Sequence, residues 1–192
     1  MKVILMHGKD TNPSQKWYPW LANKMKKRDI EYIAPELPDA QDPYINEWIG
    51  ELEKSGPNKD SVLIGHSRGG VAILRYLEKS PDDLKIKKVI LVAANSGNLT
   101  KRNKTENNKG FFTEKGYDFQ KIKYHCNDFV VLHSKDDEWV PFEAGVENAV
   151  GLGAKFLQFN NRGHFGKKVD SIPELLKEID NISNSGGSAN LS

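Results

Sequence analysis

Short apolar runs rich in β-branched residues alternate with helical patterns along almost the whole chain. Runs that are apolar throughout are typical of strands buried on both faces of a parallel sheet, because parallel strands need helical crossovers that cover the sheet. Right-handed crossovers then predict a doubly wound, three-layer α/β sandwich with its sites at the carboxyl ends of the strands. The runs are Val3–Met6, Ile30–Ala34, Val62–Ile64, Lys88–Ala93, Phe129–Leu132 and Phe156–Phe159.

The segments between these runs show the spacing of amphipathic helices. Asp42 and Pro43 suit the cap and first turn of one helix, and Ser171 with Glu174 forms the capping-box pattern of the last one. Helices are therefore expected at four places: around Trp17, Trp20, Leu21 and Met25; from Asp42 through Leu52; from about Gly69 to Lys79; and from near Ser171 through Ile179.

The length of 192 residues suits one domain with a substantial core. No internal repeat or linker divides the chain, so we expect a single domain over residues 1–182. Residues 183–192 are small and polar with nothing to bury, and we expect them to form a flexible tail.

Composition and charge exclude several classes of protein. Twenty-eight Lys and Arg against 26 Asp and Glu leave a net charge of +2, without the basic excess of a nucleic-acid binder. The first apolar run is too short for a signal peptide or a membrane span, so we expect a cytoplasmic protein that binds no membrane. The single cysteine, Cys126, forms no internal disulfide and suits a small buried position. No His, Asp or Glu set has metal-ligand spacing, so we expect no metal or cofactor.

One long region departs from the alternation of strands and helices. Residues 95–123 are first polar and basic and then carry Phe111, Phe112 and Tyr117. Long loops in compact domains are often lids or binding loops, and 97–120 is the candidate lid here. A solvated excursion that ends in a short helix explains the same pattern equally well.

The sequence Gly65-His66-Ser67-Arg68-Gly69 follows the third strand and opens a helix. A sharp strand-to-helix turn holds a serine clear of the sheet, and the two glycines let the backbones approach. Although the pattern alone is weakly specific, it lies here at the carboxyl end of a strand. Ser67 is therefore the candidate nucleophile.

A serine nucleophile needs a base and an orienting acid, which in this fold follow it in the order acid, then histidine. Asp136 and Asp137 come after the fifth strand, and His164 comes after the sixth. All three positions therefore lie on the same edge of the sheet as Ser67. The residues alone leave the choice between Asp136 and Asp137 open.

The other histidines fit the role of base less well. His66 lies within the elbow, His133 precedes the acids, and His125 follows no strand. His7 ends the first strand and suits a role in shaping the loop that follows it.

Acyl chemistry also needs donors for the oxyanion. The backbone N–H of Arg68, directly after the nucleophile, is one candidate, and the N–H of Lys9 in the first loop is the other. For an apolar substrate pocket the candidates are Trp139, Phe165 and Phe112, whereas Trp17 and Trp20 suit the buried face of a helix.

Together these residues resemble the RBBP9/YdeN family of small serine hydrolases, over nearly the whole chain up to about residue 180. The tryptophan helix and the Gly-His-Phe sequence are the more specific signatures, since many hydrolases share the elbow. The matching segments are Trp17-Tyr18-x-Trp20-Leu21, Ile64-Gly65-His66-Ser67, Gly110-Phe111-Phe112-Thr113, the stretch from Ser134 to Pro141, and Gly163-His164-Phe165.

The resemblance implies an α/β-hydrolase fold with a six-stranded, mostly parallel sheet of order 2-1-3-4-5-6 and little or no cap domain. It implies a Ser-Asp-His triad, and the family's spacing of four residues before Pro141 assigns the acid to Asp137. The chain departs from the family in its first loop, which lacks extra glycines, and at Arg68, which replaces a smaller residue. Lys9 and Arg68 near the mouth either favour a substrate carboxylate or point to solvent.

The favoured function is carboxylesterase-like hydrolysis of small esters or amides through an acyl-enzyme. One alternative is a thioesterase or acyltransferase with the same triad, for which a lid at 101–117 would exclude water. Another is a protein-interaction module on a hydrolase scaffold. The expected partner is a small-molecule substrate, and the expected state is a monomer or weak homodimer.

Overall fold

A computed structural model describes residues 1–100 and 109–185 of the chain. Six strands form one sheet with the order β2-β1-β3-β4-β5-β6, and every neighbouring pair is parallel. This confirms the predicted α/β fold and strand order. The elements are β1 (Lys2–Met6), α1 (Tyr18–Lys26), β2 (Glu31–Ile33), α2 (Ile45–Lys54), β3 (Ser61–His66), α3 (Arg68–Lys79), β4 (Lys88–Val92), α4 (Phe119–His125), β5 (Phe129–Ser134), α5 (Phe142–Leu152), β6 (Lys155–Phe159) and α6 (Pro173–Ser185).

Alternate side chains of the central strands enter two separate cores. Ile4 and Leu63 point into the core under α2 to α5, whereas Val3 and Val62 point into the core under α1 and α6. Because successive strand residues face opposite sides, both faces of these strands must be apolar. The uninterrupted apolar runs of the sequence have this physical origin.

Helix α2 buries the predicted stripe of Ile45, Trp48, Ile49 and Leu52. Its start differs from the expectation, since the helix begins at Ile45 rather than at Asp42-Pro43. The backbone of Tyr44 is extended, with φ −99° and ψ 130°, and this keeps the preceding residues out of the helix.

Helix α5 lies between the last two strands and has no counterpart in the sequence pattern. Glycine weakens helical propensity, and this helix contains Gly145 and Gly151. A Cβ on Gly145 would lie 2.6 Å from Nδ1 of His133, so glycine is what allows α5 to pack closely on β5. Gly145 therefore permits the close packing of α5 on β5 and at the same time weakens the sequence pattern that would predict a helix.

The described parts of the candidate lid are held to the body of the protein. The buried guanidinium of Arg75 donates hydrogen bonds to the carbonyl oxygens of Gly97, Phe111 and Gly116, at 2.9, 3.1 and 2.9 Å. Phe111 is fully buried, and the segment ends in the short helix α4. Residues 101–108 of the proposed lid lie outside the described residues.

The last helix extends further than expected. Helix α6 continues to Ser185, three residues into the segment predicted to be a tail, because its apolar stripe of Leu175, Ile179 and Ile182 continues to pack against the core. Residues 186–192 of that tail lie outside the described residues, and a single domain over 1–182 stays a prediction. No helix in the described ranges is long and apolar enough to cross a membrane.

Candidate active site

Ser67 occupies a strained turn between the central strand β3 and helix α3. Its backbone has φ 53° and ψ −121°, a conformation that costs a residue with a side chain about 1–3 kcal/mol. The Ser67 N–H donates to the carbonyl of Val92 at 2.9 Å, which ties the turn to the neighbouring strand. This backbone has the geometry of a nucleophile elbow.

Glycines on both sides of Ser67 make this turn possible. A Cβ on Gly65 would lie 2.4 Å from the Cα of Gly70, and one on Gly69 would lie 2.1 Å from the carbonyl oxygen of Met6. Both contacts are with backbone, which cannot rotate away. The close approach of α3 to β1 and β3 therefore requires glycine at these positions.

Asp137 and His164 form a direct pair on the same edge of the sheet. Nδ1 of His164 lies 2.8 Å from Oδ2 of Asp137, and the other carboxylate oxygen accepts N–H bonds from Trp139 and Val140, both at 2.9 Å. Burial favours the neutral acid, but the hydrogen bonds from His164 and these two amides outweigh it and lower the pKa of Asp137. An ionised carboxylate only accepts, so Nδ1 of His164 carries the proton.

Asp136 makes different contacts from those of its neighbour. Its Oδ1 accepts from the hydroxyl of Ser134 and from the N–H of Gly163, and the Ser134 oxygen in turn accepts from the N–H of Arg162. These bonds join the end of β5 to the loop that carries His164. Of the two acids that the residues alone left open, Asp137 is the one that contacts His164.

Ser67 and His164 line one cavity of about 1230 Å³. Within the described residues, His164 hydrogen-bonds through Nδ1 to Asp137 and through its backbone carbonyl to His66, and no direct bond joins its ring to Ser67. Such bonds between nucleophile and base are often long in ligand-free enzymes and tighten when a substrate binds. The cavity brings together Ser67 and His164, whereas Asp137 does not line it and contacts His164 with a fully buried side chain.

A buried chain of hydrogen bonds connects the elbow to the base. Nε2 of His66 lies 2.9 Å from the backbone oxygen of His164, and its Nδ1 lies 2.7 Å from the hydroxyl of Tyr18. A carbonyl only accepts, so Nε2 donates and Nδ1 accepts from Tyr18, whose oxygen accepts the N–H of Gly8 at 3.4 Å. Burial, followed by the charge of Lys16, lowers the pKa of His66 well below its ordinary value and keeps it neutral.

The residues that carry the two predicted oxyanion donors, Lys9 and Arg68, come from the first loop and from the elbow. Gly8 donates its N–H to Tyr18, and Asp10 donates its N–H to the carbonyl of Ala40 at 2.8 Å. The Lys9 N–H between them has no acceptor among the described residues. Arg68 is the first residue of α3, ahead of the helix's own hydrogen-bond ladder. Both residues line the cavity.

The predicted pocket residues are found in different environments. Phe112 and Trp139 line the cavity, and Trp139 is 69% exposed. Phe165 was expected on the wall, but it is fully buried in the core under α1 and α6, with its ring against Phe159. A positive φ of 49° at Phe165 turns its side chain inward directly after His164.

The remaining histidines and the cysteine have structural contacts. His7 Nδ1 donates to the carbonyl of Gly8 at 2.9 Å while its Nε2 accepts the N–H of Leu37, which agrees with a role in shaping the first loop. His133 is buried and bonds the carbonyl of Val140. Burial raises the pKa of Cys126 to about 11, so its thiol is inert at neutral pH.

Two residues of the site give no functional signal in the sequence. Tyr18 belongs to the buried face of α1, so its spacing indicates only a core position. Lys16 precedes that helix, and nothing in its sequence context indicates that it lines the cavity. The contact between Tyr18 and His66 spans 48 residues of chain and becomes visible only in the folded protein.

Comparison with known proteins gives the same family as the sequence signatures. A family model described as serine hydrolase matches residues 3–176. The hydrolase YdeN of Bacillus subtilis (strain 168) is 26% identical over 166 residues, 85% of either chain. The serine hydrolase RBBP9 of Rattus norvegicus is 29% identical over 165 residues, which are 85% of this chain and 84% of the relative.

Solved structures show the same fold. The crystal structure of the ydeN gene product from B. subtilis has a TM-score of 0.85 at 24% identity and covers 94% of this chain and 97% of its own. Est1E from Butyrivibrio proteoclasticus, solved with ferulic acid bound, has a TM-score of 0.68 at 14% identity, with 93% and 85% covered. With the family match over residues 3–176, these likenesses confirm the predicted family: the chain belongs to the serine hydrolases and is an enzyme with the α/β-hydrolase fold.

Proposed function

We propose that Ser67, His164 and Asp137 form a catalytic triad that hydrolyses small carboxylic esters or amides through an acyl-enzyme intermediate. The observation that carries the proposal is the 2.8 Å contact between His164 Nδ1 and Asp137 Oδ2 at the edge of a cavity that Ser67 also lines. The strained backbone of Ser67 supports it, since strain of this kind is found where a side chain must be held for function.

In the first half of the reaction, Nε2 of His164 takes the hydroxyl proton of Ser67 while Oγ attacks the carbonyl carbon. The carbonyl π bond breaks and leaves a tetrahedral oxyanion, which accepts the N–H bonds of Lys9 and Arg68. The oxyanion then re-forms the carbonyl and expels the alcohol or amine, which takes the proton from His164.

In the second half, water replaces the leaving group. His164 takes a proton from the water as the water oxygen attacks the acyl carbon. The second oxyanion then re-forms the carbonyl, the bond between that carbon and Oγ of Ser67 breaks, His164 gives its proton to Oγ, and the carboxylic acid leaves. Asp137 keeps the proton on Nδ1 and stabilises the imidazolium in both halves. Its hydrogen bonds from Trp139 and Val140 hold the carboxylate in place for that role.

The substrate is a small molecule that fits a cavity of mixed character. Phe112 and Trp139 supply apolar surface to an acyl or alcohol group. The proposed chemistry uses side chains and backbone amides alone, without a cofactor. A near-balanced charge of +2 agrees with a small-molecule substrate rather than a nucleic acid.

Hydrolysis of 4-nitrophenyl butyrate tests this proposal. We expect the wild-type protein to release 4-nitrophenol and Ser67→Ala to lose at least about a thousandfold in kcat/KM. Ser80→Ala, at the far end of helix α3, is the matched control and should keep wild-type activity. The proposal is wrong if Ser67→Ala hydrolyses the ester as fast as this control.

A further inference from the structure

Four basic residues line the cavity near Ser67. The loop between β1 and α1 contributes Lys9, Asp10 and Lys16, the elbow contributes Arg68, and the loop before α6 contributes Lys167. These residues are close enough for their charges to interact, since Asp10 attracts both Lys16 and Arg68, and Lys167 repels Lys16. We refer to Lys9, Lys16, Arg68 and Lys167 as the basic wall.

Asp10 is the carboxylate that these cations share. Its Oδ2 forms an ion pair with Nζ of Lys9 at 2.9 Å, and it also attracts Lys16 and Arg68. Asp42 also attracts Arg68, but Asp42 is itself paired with Lys109. Glu143, Glu147 and Asp170 also line the cavity, but the carboxylate that acts on Lys16 is Asp10, which is already paired with Lys9.

Lys16 is the lysine of the wall that is partly buried without a direct ion pair among the described residues, and its ammonium group has no hydrogen bond there either. Burial lowers the pKa of Lys16 to about 8, Asp10 opposes this, and Lys167 adds to it. Partial burial makes the charged form of Lys16 less favourable, and a bound anion would offset that cost.

The backbone conformation of Lys16 also suggests that this lysine has a functional role. Its φ is +56°, in the left-handed region that favours glycine, so the chain accepts strain to place a lysine there. Ser67 also has a positive φ, 53°, with ψ −121°. Both side chains line one cavity, and retained strain of this kind is found at functional sites.

We propose that Lys16, supported by Lys167, binds a carboxylate of the substrate, so that the enzyme prefers esters or amides that carry a second, free carboxylate. This proposal rests on the proposed function of the triad and names its substrate class. Asp10 stays beside Lys16 and would repel a dianion, so the wall suits a singly charged carboxylate better than a phosphate. Lys16 lines the cavity that Ser67 also lines, so a substrate held at the serine lies within the same space as this lysine.

A matched pair of esters tests the preference. Mono-4-nitrophenyl adipate and 4-nitrophenyl hexanoate have acyl chains of equal length and differ by the terminal carboxylate. We expect the ratio of their kcat/KM values, charged over neutral, to exceed about ten in the wild type and to fall at least about tenfold in Lys16→Met. Because both esters meet the same triad, a general loss of activity cancels in the ratio.

Two further variants separate charge from structure. Lys16→Arg keeps the positive charge and should keep most of the preference. Lys26→Met removes a lysine from the exposed side of helix α1 and should leave the ratio within about twofold of the wild type. Equal ratios in Lys16→Met and Lys26→Met, or a wild-type ratio near one, would overturn the proposal.

The pH dependence gives an independent readout. The charged and titratable groups that act on Lys16 are Asp10, Lys167 and His66. The same cavity is also lined by Lys9, Arg68, Glu143, Glu147, His164 and Asp170. Since Lys16 is charged below its pKa of about 8, the ratio should fall as the pH rises from 7 to 9 in the wild type. In Lys16→Met the ratio should stay flat, and a parallel fall in both proteins would assign the effect to another group.

A failure of this inference can be told apart from a failure of the proposed function. If neutral esters are hydrolysed through Ser67 but the charged ester has no advantage, only the carboxylate site is wrong. If no ester is hydrolysed, binding of adipate is measured by calorimetry on the wild type and on Lys16→Met. Equal binding by both proteins, or none by either, rejects the carboxylate site, whereas binding weakened at least about tenfold in Lys16→Met supports it.

Discussion

Nε2 of His66 donates a hydrogen bond to the backbone carbonyl oxygen of His164, over 2.9 Å. The residue directly before the proposed nucleophile thus holds the loop that carries the proposed base. Tyr18 fixes the orientation of this imidazole from its other side, at 2.7 Å from Nδ1. The first helix, the elbow and the base loop are therefore connected through one buried side chain.

Removing the hydroxyl of Tyr18 should loosen this connection. In Tyr18→Phe, the buried Nδ1 of His66 and the N–H of Gly8 lose their partner, so we expect the free energy of unfolding to fall by about 1–3 kcal/mol. The kcat for a neutral ester should fall by up to about a hundredfold with little change in KM, because His164 is positioned less well. Chemical denaturation and steady-state kinetics measure the two effects.

Tyr124→Phe is the matched control, because the Tyr124 side chain is 55% exposed and the substitution keeps its ring over Lys85. Its free energy of unfolding should change by less than about 0.5 kcal/mol. Similar stability and kcat in the two variants would contradict the role assigned to Tyr18.

The buried neutral histidine predicts a loss of stability in mild acid. Burial lowers the pKa of His66 in the folded state, so below its unfolded value near 6.5 only the unfolded chain takes up the proton. Between pH 6.5 and pH 5 this costs up to about 2 kcal/mol. Asp137 has a lowered pKa too, but its stabilising contribution is lost only below about 3.8, outside this window.

Urea denaturation at pH 7 and pH 5 measures this loss directly. His66→Asn should be less stable than the wild type at pH 7 but should lose less of its stability on acidification. The lowered pKa values of His7 and His133 leave part of the pH dependence in place in the variant. An identical loss in both proteins would show that His66 is not the group that titrates.

The two neighbouring acids should differ sharply in their effect on catalysis. Asp137→Asn removes the acceptor that keeps the proton on Nδ1 of His164, and kcat should fall by about a thousandfold to ten-thousandfold. Asp136→Asn keeps an oxygen for Ser134 and Gly163 on an exposed side chain, so kcat should fall by at most about tenfold. The reverse order would assign the orienting role to Asp136.

Position 69, the second glycine of the elbow, should not tolerate a side chain. Gly69→Ala places a Cβ 2.1 Å from the carbonyl oxygen of Met6, so α3 must move, and the free energy of unfolding should fall by about 3 kcal/mol or more. Gly50→Ala meets nothing within 4 Å in the middle of α2 and should raise stability by about 0.5–1 kcal/mol. A small effect at Gly69 would mean that this part of the elbow packs less tightly than described.

Much of the fold follows from local sequence patterns. The six predicted runs correspond to the six strands, and the four central ones are apolar almost throughout because both of their faces are covered. The apolar stripe that includes Trp48 and Leu52 predicted helix α2. Helix α5 was not predicted, because Gly145 and Gly151 lower its helix propensity. Where a helix cap was inferred from residue type alone, as at Asp42, the observed helix begins a few residues away from the predicted start.

Within the site, the sequence predicted which residues lie at the carboxyl ends of the strands. It did not predict how individual side chains pack there. Ser67 and His164 follow strands, so their edge of the sheet was predictable. The orientation of Phe165 was not, because a positive φ at that residue turns the ring into the core. The positions of Tyr18 and Lys16 depend on how the first loop folds over the elbow, which no local pattern describes.

Covalent labelling is the most direct test of Ser67 as the nucleophile. The protein is treated with a fluorophosphonate, digested, and the modified residue located by mass spectrometry, with Ser80→Ala treated in parallel. We predict one adduct on Ser67 in the wild type and in Ser80→Ala, and none in Ser67→Ala. An adduct on another residue, or a wild-type protein that hydrolyses esters and remains unlabelled, would contradict the account.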